Sequence, residues 1–156
     1  MAGAFPTDLL RFIVRAKAAT YVAGAGANMP SCRPGSRDIR FAEGEFTYLD
    51  SYFGSSDFIG EEVAFRGEVP LWAMNYFGRI LNPQKITAAE TGQMIQRSLS
   101  RMYREGRFLG GFEYPYGDLV YHDSNDGEPD AFTGVEWITR DGEVVYRLVY
   151  HGGLIH

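Results

Sequence analysis

Tyr48-Leu49-Asp50-Ser51-Tyr52-Phe53-Gly54 returns in the second half of the chain as Tyr121-His122-Asp123-Ser124-Asn125-Asp126-Gly127, a shared Y-x-D-S-x-x-G. Phe58-Ile59-Gly60-Glu61-Glu62 likewise returns as Phe132-Thr133-Gly134-Val135-Glu136, a shared F-x-G-x-E. Gly67-Glu68-Val69 matches Gly142-Glu143-Val144, and Tyr76-Phe77-Gly78 matches Tyr150-His151-Gly152. Blocks that keep their order imply an internal duplication, with pseudo-repeats over 5–81 and 86–155. Two copies of one surface meeting across an axis make a natural cleft, and that is where a site is expected.

Working outward, Thr7 reads as an N-cap, followed by Leu9, Phe12, Ile13 and Ala16 at helical spacing. This helix is expected to reach about Tyr21 and to stop at Gly24. Thr87-Ala88-Ala89-Glu90 is a capping box, with Ile95, Leu99 and Met102 behind it at i, i+4, i+7 and Gly106 as the stop. Three strand-like runs follow each helix, roughly 45–53, 58–66 and 69–78, then 117–123, 131–140 and 144–151. Asp141-Gly142 is a two-residue hairpin signal, and Arg66-Gly67 fills the matching place. The expected fold is α+β: one domain over 1–156, an αβββ unit taken twice, a mainly antiparallel six-stranded sheet and two helices packed on one side.

Period-2 alternation sorts the strand faces. Trp72, Met74 and Tyr76 share one side, as do Tyr146, Leu148 and Tyr150; Phe58, Gly60 and Glu62 line up, as do Phe132, Gly134 and Glu136. A carboxylate among aromatic residues suits a cationic ligand, with ring faces adding attraction, or an acid–base catalyst. Glu62 and Glu136 are therefore the candidate anchors, and Trp72, Tyr76, Tyr121 and Tyr150 the candidate walls. Arg33 and Arg37, on the Gly/Pro-rich stretch Pro30 to Asp38, are a candidate lid, because guanidinium forks bind carboxylate or phosphate. Asn75 is added because its counterpart, Val149, differs. Asp50 and Asp123 precede a turn and are read as turn-forming. His122, His151 and His156 lack metal-ligand spacing, so neither a metal nor another cofactor is expected. Cys32, the lone cysteine, has no His or Asp beside it and is not read as a nucleophile.

The bulk numbers set limits. Hydrophobic residues make up 45% and charged residues 22%, values of a globular chain. Aromatics reach 15%, enough to line a cleft as well as a core. A net charge of −5 without a basic cluster argues against nucleic acid. Met1 to Thr7 carries no secretory signal pattern, no apolar run is long enough for a membrane span, and a single cysteine fits a reducing compartment. A cytoplasmic location is expected.

The strings Ser31 to Asp38, Asp50 to Gly54, Met74-Asn75-Tyr76-Phe77-Gly78, Phe108-Leu109-Gly110-Gly111-Phe112 and Tyr150-His151-Gly152-Gly153-Leu154 together resemble a bacterial domain family of unknown function. The family is found stand-alone or C-terminal to Xre-type helix-turn-helix regulators. The resemblance spans nearly the whole chain and implies a sensor-like, ligand-binding module. A looser analogy, of fold alone, links it to gyrase-inhibitor-like effector domains, whose aromatic pocket with a Glu binds cationic amphipathic compounds. The leading expectation is a small-molecule-binding domain with a cationic or amphipathic ligand between two αβββ halves. Two alternatives stand beside it: an acid–base enzyme, a hydrolase or isomerase using Glu62 or Glu136, and an interaction module that forms a homodimer or binds a protein through a strand edge.

Overall fold

The structure is a computed structural model that describes residues 5–22, 24 and 26–156. Met1 to Ala4 of the segment assessed for a leader, and Ala23 and Ala25 of the loop after the first helix, lie outside the described residues. Helix α1 spans Thr7–Lys17 and runs directly into a π-helical turn, Ala18–Val22. Strands β1 (Ala27–Met29), β2 (Arg37–Glu43), β3 (Phe46–Gly54), β4 (Phe58–Arg66) and β5 (Val69–Ile80) follow. Helix α2 (Ala88–Arg104) then leads to β6 (Phe112–Tyr116), β7 (Leu119–Glu128), β8 (Ala131–Arg140) and β9 (Glu143–Leu154).

The expected six-stranded, duplicated sheet is corrected by this order. Five strands follow α1 and four follow α2, so neither stretch is an αβββ unit. The nine strands of the described residues form one antiparallel sheet in the order β1-β2-β3-β4-β5-β9-β8-β7-β6. The added strands, β1, β2 and β6, come from stretches whose composition reads as loop. Their partners make them strands: β2 folds back on β3 with Phe41 opposite Tyr48, and β6 lies on β7 with Tyr114 opposite Tyr121. Strand formation depends on cross-strand packing more than on intrinsic preference, which is why local composition missed them.

Local signals explain the boundaries. Thr87 Oγ1 accepts from the Glu90 N–H while the Glu90 carboxylate accepts from the Thr87 N–H, so the capping box forms as read. Thr7 is instead the first helical residue; Pro6 holds the cap position without a side-chain bond, its fixed φ compatible with helix entry. The glycine that closes Y-x-D-S-x-x-G is required by geometry. Gly54 and Gly127 have φ of 94° and 89°, and a Cβ on either would stand 2.1 Å from a backbone oxygen.

Both helices cover one face of the sheet. Leu9, Phe12 and Ile13 of α1 and Met94 and Ile95 of α2 join Phe46, Tyr48, Trp72, Tyr121, Ile138 and Tyr146 in one buried core. Among the described residues nothing covers the other face, and Ile59, Phe77 and Val149 form an exposed row across its middle three strands. No helix among the described residues is long and apolar enough to cross a membrane.

Candidate functional site: a buried carboxylate cavity

The recurring motifs meet beneath the helices. Alternation places Tyr48 and Asp50 of β3 on the covered face, with Glu62 of β4 directly opposite Asp50. Asp123 of β7 stands opposite Glu136 of β8 on the same face. The middle glycine of F-x-G-x-E has a specific task. Gly60 faces Tyr76 on β5 and Gly134 faces Tyr150 on β9. A Cβ at Gly60 would stand 2.4 Å from the Tyr76 hydroxyl, and one at Gly134 would stand 2.1 Å from the Tyr150 ring. Each tyrosine therefore lies across a glycine, and there it reaches the neighbouring aspartate. Tyr76 donates to Asp50 Oδ1 at 2.7 Å and Tyr150 donates to Asp123 Oδ1 at 2.6 Å.

The two glutamates are satisfied differently. Lys17, at the end of α1, places Nζ 2.6 Å from Glu62 Oε2, and only 5% of the lysine is exposed. The same ammonium lies 3.1 Å from Met74 Sδ and within 5.6 and 5.3 Å of the Trp72 and Phe108 ring centres. Glu136 has no cationic partner within bonding distance among the described residues; it accepts from the Tyr121 hydroxyl at 2.5 Å and from Tyr146 at 3.2 Å. Fully buried Tyr48 lacks a hydrogen-bond partner for its hydroxyl among the described residues.

A cavity of about 80 Å³ lies among these groups. Among the described residues, Asp50, Glu62, Asp123 and Glu136 supply its acids, Lys17 its one cation, and Tyr21, Phe58, Tyr76, Tyr103, Phe108 and Tyr150 its rings. Among the described residues, no three potential metal ligands converge, so the negative charge is spread along the walls. Burial is the main force on the acids. It pushes Asp50 up to about 7, helped by Glu62 and opposed by the Tyr76 hydrogen bond and Lys17. It pushes Glu136 up to about 7, helped by Asp123 and opposed by its two tyrosine donors. Asp123 is raised by the same cause, against the hydrogen bonds from Tyr150 and Tyr121.

The other expected residues fall in several places. Glu62, Glu136, Tyr76 and Tyr150 line the cavity. Tyr121 lies behind the wall, donating to Glu136. Trp72 is core: it stacks on Phe132, meets Phe108 edge-on and donates its indole N–H to the Pro129 carbonyl at 3.0 Å. Asn75 alternates onto the uncovered face, opposite Glu61 and His151. Arg33 is not among the described residues that line the cavity. Its guanidinium sits over the Phe53 ring, 4.9 Å from the centre, and donates to Ser51 Oγ. Arg37 lines a second, outer groove of about 560 Å³, which shares Tyr21, Asp50, Phe58, Tyr76 and Ile95 with the cavity.

Asp50 and Asp123, expected to form turns, both lie within strands and line the cavity. Lys17 was missed altogether. Its signal was present: it continues the Leu9–Ile13 stripe at i+4, a charge on the apolar face of α1.

The family profile described as "Domain of unknown function (DUF5680)" matches residues 50–155, which include every cavity acid. The chain belongs to the DUF5680 family. No curated protein matches it, and no solved structure matches it. In this DUF5680 chain the matched segment opens at Asp50, so Lys17 and Tyr21 reach the cavity from outside it.

Proposed function

We propose that this protein binds a small organic cation in the cavity beneath its helices, as a sensor-like domain. The observation that carries the reading is the charge imbalance: among the described residues, four acids line the space and one ammonium answers them, already committed to Glu62. A buried carboxylate without a cation takes up a proton or attracts one from outside. An organic ammonium would pair with Asp123 and Glu136 while the tyrosine and phenylalanine rings receive its stem. The volume limits what enters. A cavity of about 150 Å³ holds one benzene ring, so about 80 Å³ suits a head group with a short stem.

The test is a thermal-shift screen of primary amines, guanidines and quaternary ammonium compounds against their neutral and anionic analogues. Binding to the native state must raise the melting temperature. Cations that stabilise the wild type and lose their effect in Glu136→Gln support the reading. Stabilisation by neutral analogues alone contradicts it.

One observation favours a second reading. Asp50 and Glu136 both titrate near neutrality inside a cleft, the condition for acid–base catalysis of a hydrolysis or isomerisation. Mass spectrometry of recovered ligand separates the two readings, since a binder returns it unchanged and an enzyme does not.

A further inference from the structure

Arg37 gives the outer groove a character opposite to that of the inner cavity. Of the described residues that line the groove, only Arg37 and Asp50 are charged, and Asp50 belongs to the wall shared with the cavity. Arg37 is exposed, and its guanidinium makes no hydrogen bond, ion pair or ring contact with any described residue. The hydroxyl-bearing residues Thr20, Tyr52, Ser55, Ser56 and Thr91 fill most of the remaining polar lining. A ligand held in the cavity and extending outward would thus pass from a carboxylate-rich chamber, over Tyr76 and Phe58, to a free guanidinium.

Resting on the cation-binding reading above, we infer that the ligand is bipolar: an elongated molecule with an ammonium group at one end and a carboxylate at the other. The ammonium lies among Asp123, Glu136 and Asp50, the stem crosses the shared aromatic wall, and the carboxylate meets Arg37. The two spaces divide the work by size. The inner one takes only a head group, while the groove, at about 560 Å³, lies within the range of about 300–1,000 Å³ common to small-molecule sites. A guanidinium suits this end because its planar fork binds a carboxylate through two parallel hydrogen bonds.

The experiment is isothermal titration with three matched series: straight-chain amines from propyl to octyl, the ω-amino acids of the same lengths, and the corresponding fatty acids. Each is run against wild type and Arg37→Gln, whose exposed position leaves the melting temperature unchanged. At one chain length the ω-amino acid is expected to bind about tenfold more tightly than the amine, as one charge-assisted contact allows. Arg37→Gln removes that advantage and leaves the amine's affinity as it was. Amines that bind at least as tightly as ω-amino acids at every length, or an advantage that survives in Arg37→Gln, overturn the bipolar ligand and spare the cation site. Failure of both amines and ω-amino acids to bind overturns the inference together with the reading beneath it.

Discussion

Lys17 Nζ lies 2.6 Å from Glu62 Oε2, and both side chains are buried, at 5% and 11% exposure. This pair joins the end of α1 to the middle of β4 and gives Glu62, alone of the cavity acids, a bonded cation among the described residues. Glu62 is neutralised from within, so the unanswered charge belongs to Asp50, Asp123 and Glu136.

Breaking that pair from one side strands a charge in the core. Lys17→Met is expected to cost about 3–5 kcal/mol, read by urea unfolding. The double variant Lys17→Met/Glu62→Leu should recover most of the loss, because removing both charges removes the desolvation cost as well. An unchanged midpoint in Lys17→Met would show that the ion pair contributes nothing.

Gly134→Ala and Gly60→Ala test how the tyrosines are placed. The new methyl displaces Tyr150 or Tyr76 from its position across the glycine and breaks the bond to Asp123 or Asp50. Overpacking alone costs about 1–3 kcal/mol, and cation binding should weaken along with stability. Chemical denaturation and titration on the same variants check both effects.

Stability should fall as pH rises toward neutrality. Asp50 and Glu136 ionise near 7 in the fold, against 3.8 and 4.5 for the free side chains. Between those values the native state holds more protons than the unfolded state, so each increase in pH favours unfolding. Their contribution is complete below the unfolded values and lost as pH climbs through about 7. The melting temperature is therefore expected to drop between about pH 5 and pH 8, and Asp50→Asn with Glu136→Gln should flatten that slope. Asp38 acts in the opposite sense and at lower pH. The hydrogen bond from Cys32 holds it down at about 2, so its contribution disappears only in acid.

Tyr121→Phe removes the shorter of the two hydrogen bonds to Glu136. A bond to a charged acceptor contributes about 1.5–3 kcal/mol, so the ionised form should weaken and the carboxyl should titrate higher than in the wild type. Carboxyl-carbon NMR across the titration reads this shift, and a lower value would contradict the assigned donor.

The sequence carried the site further than the sheet. Y-x-D-S-x-x-G and F-x-G-x-E have local causes: a left-handed glycine, a tyrosine lying over a glycine, and acids placed by alternation. Such constraints leave residues that can be recognised. Strands β1, β2 and β6 have no comparable signature, because their partners β2, β3 and β7 make them strands, and a count of three strands per helix failed there. Trp72 and Asn75 show the limit of face assignment. Trp72 shares the cavity's face yet packs into the core between Phe108 and Phe132, and Asn75 lies one residue out of phase with Tyr76. Which residues on a buried face reach a cavity depends on where the helices lie.

The most direct test is titration of a straight-chain primary amine near pH 7 in two buffers of different ionisation enthalpy. Burial raises Asp50 and Glu136 to about 7, so an ammonium entering beside them is expected to displace protons. Binding heats that differ between the buffers by the amount of released protons, and that vanish in Glu136→Gln, are the predicted result. Binding without proton release, or binding that Glu136→Gln leaves intact, would contradict a cation site built on these acids.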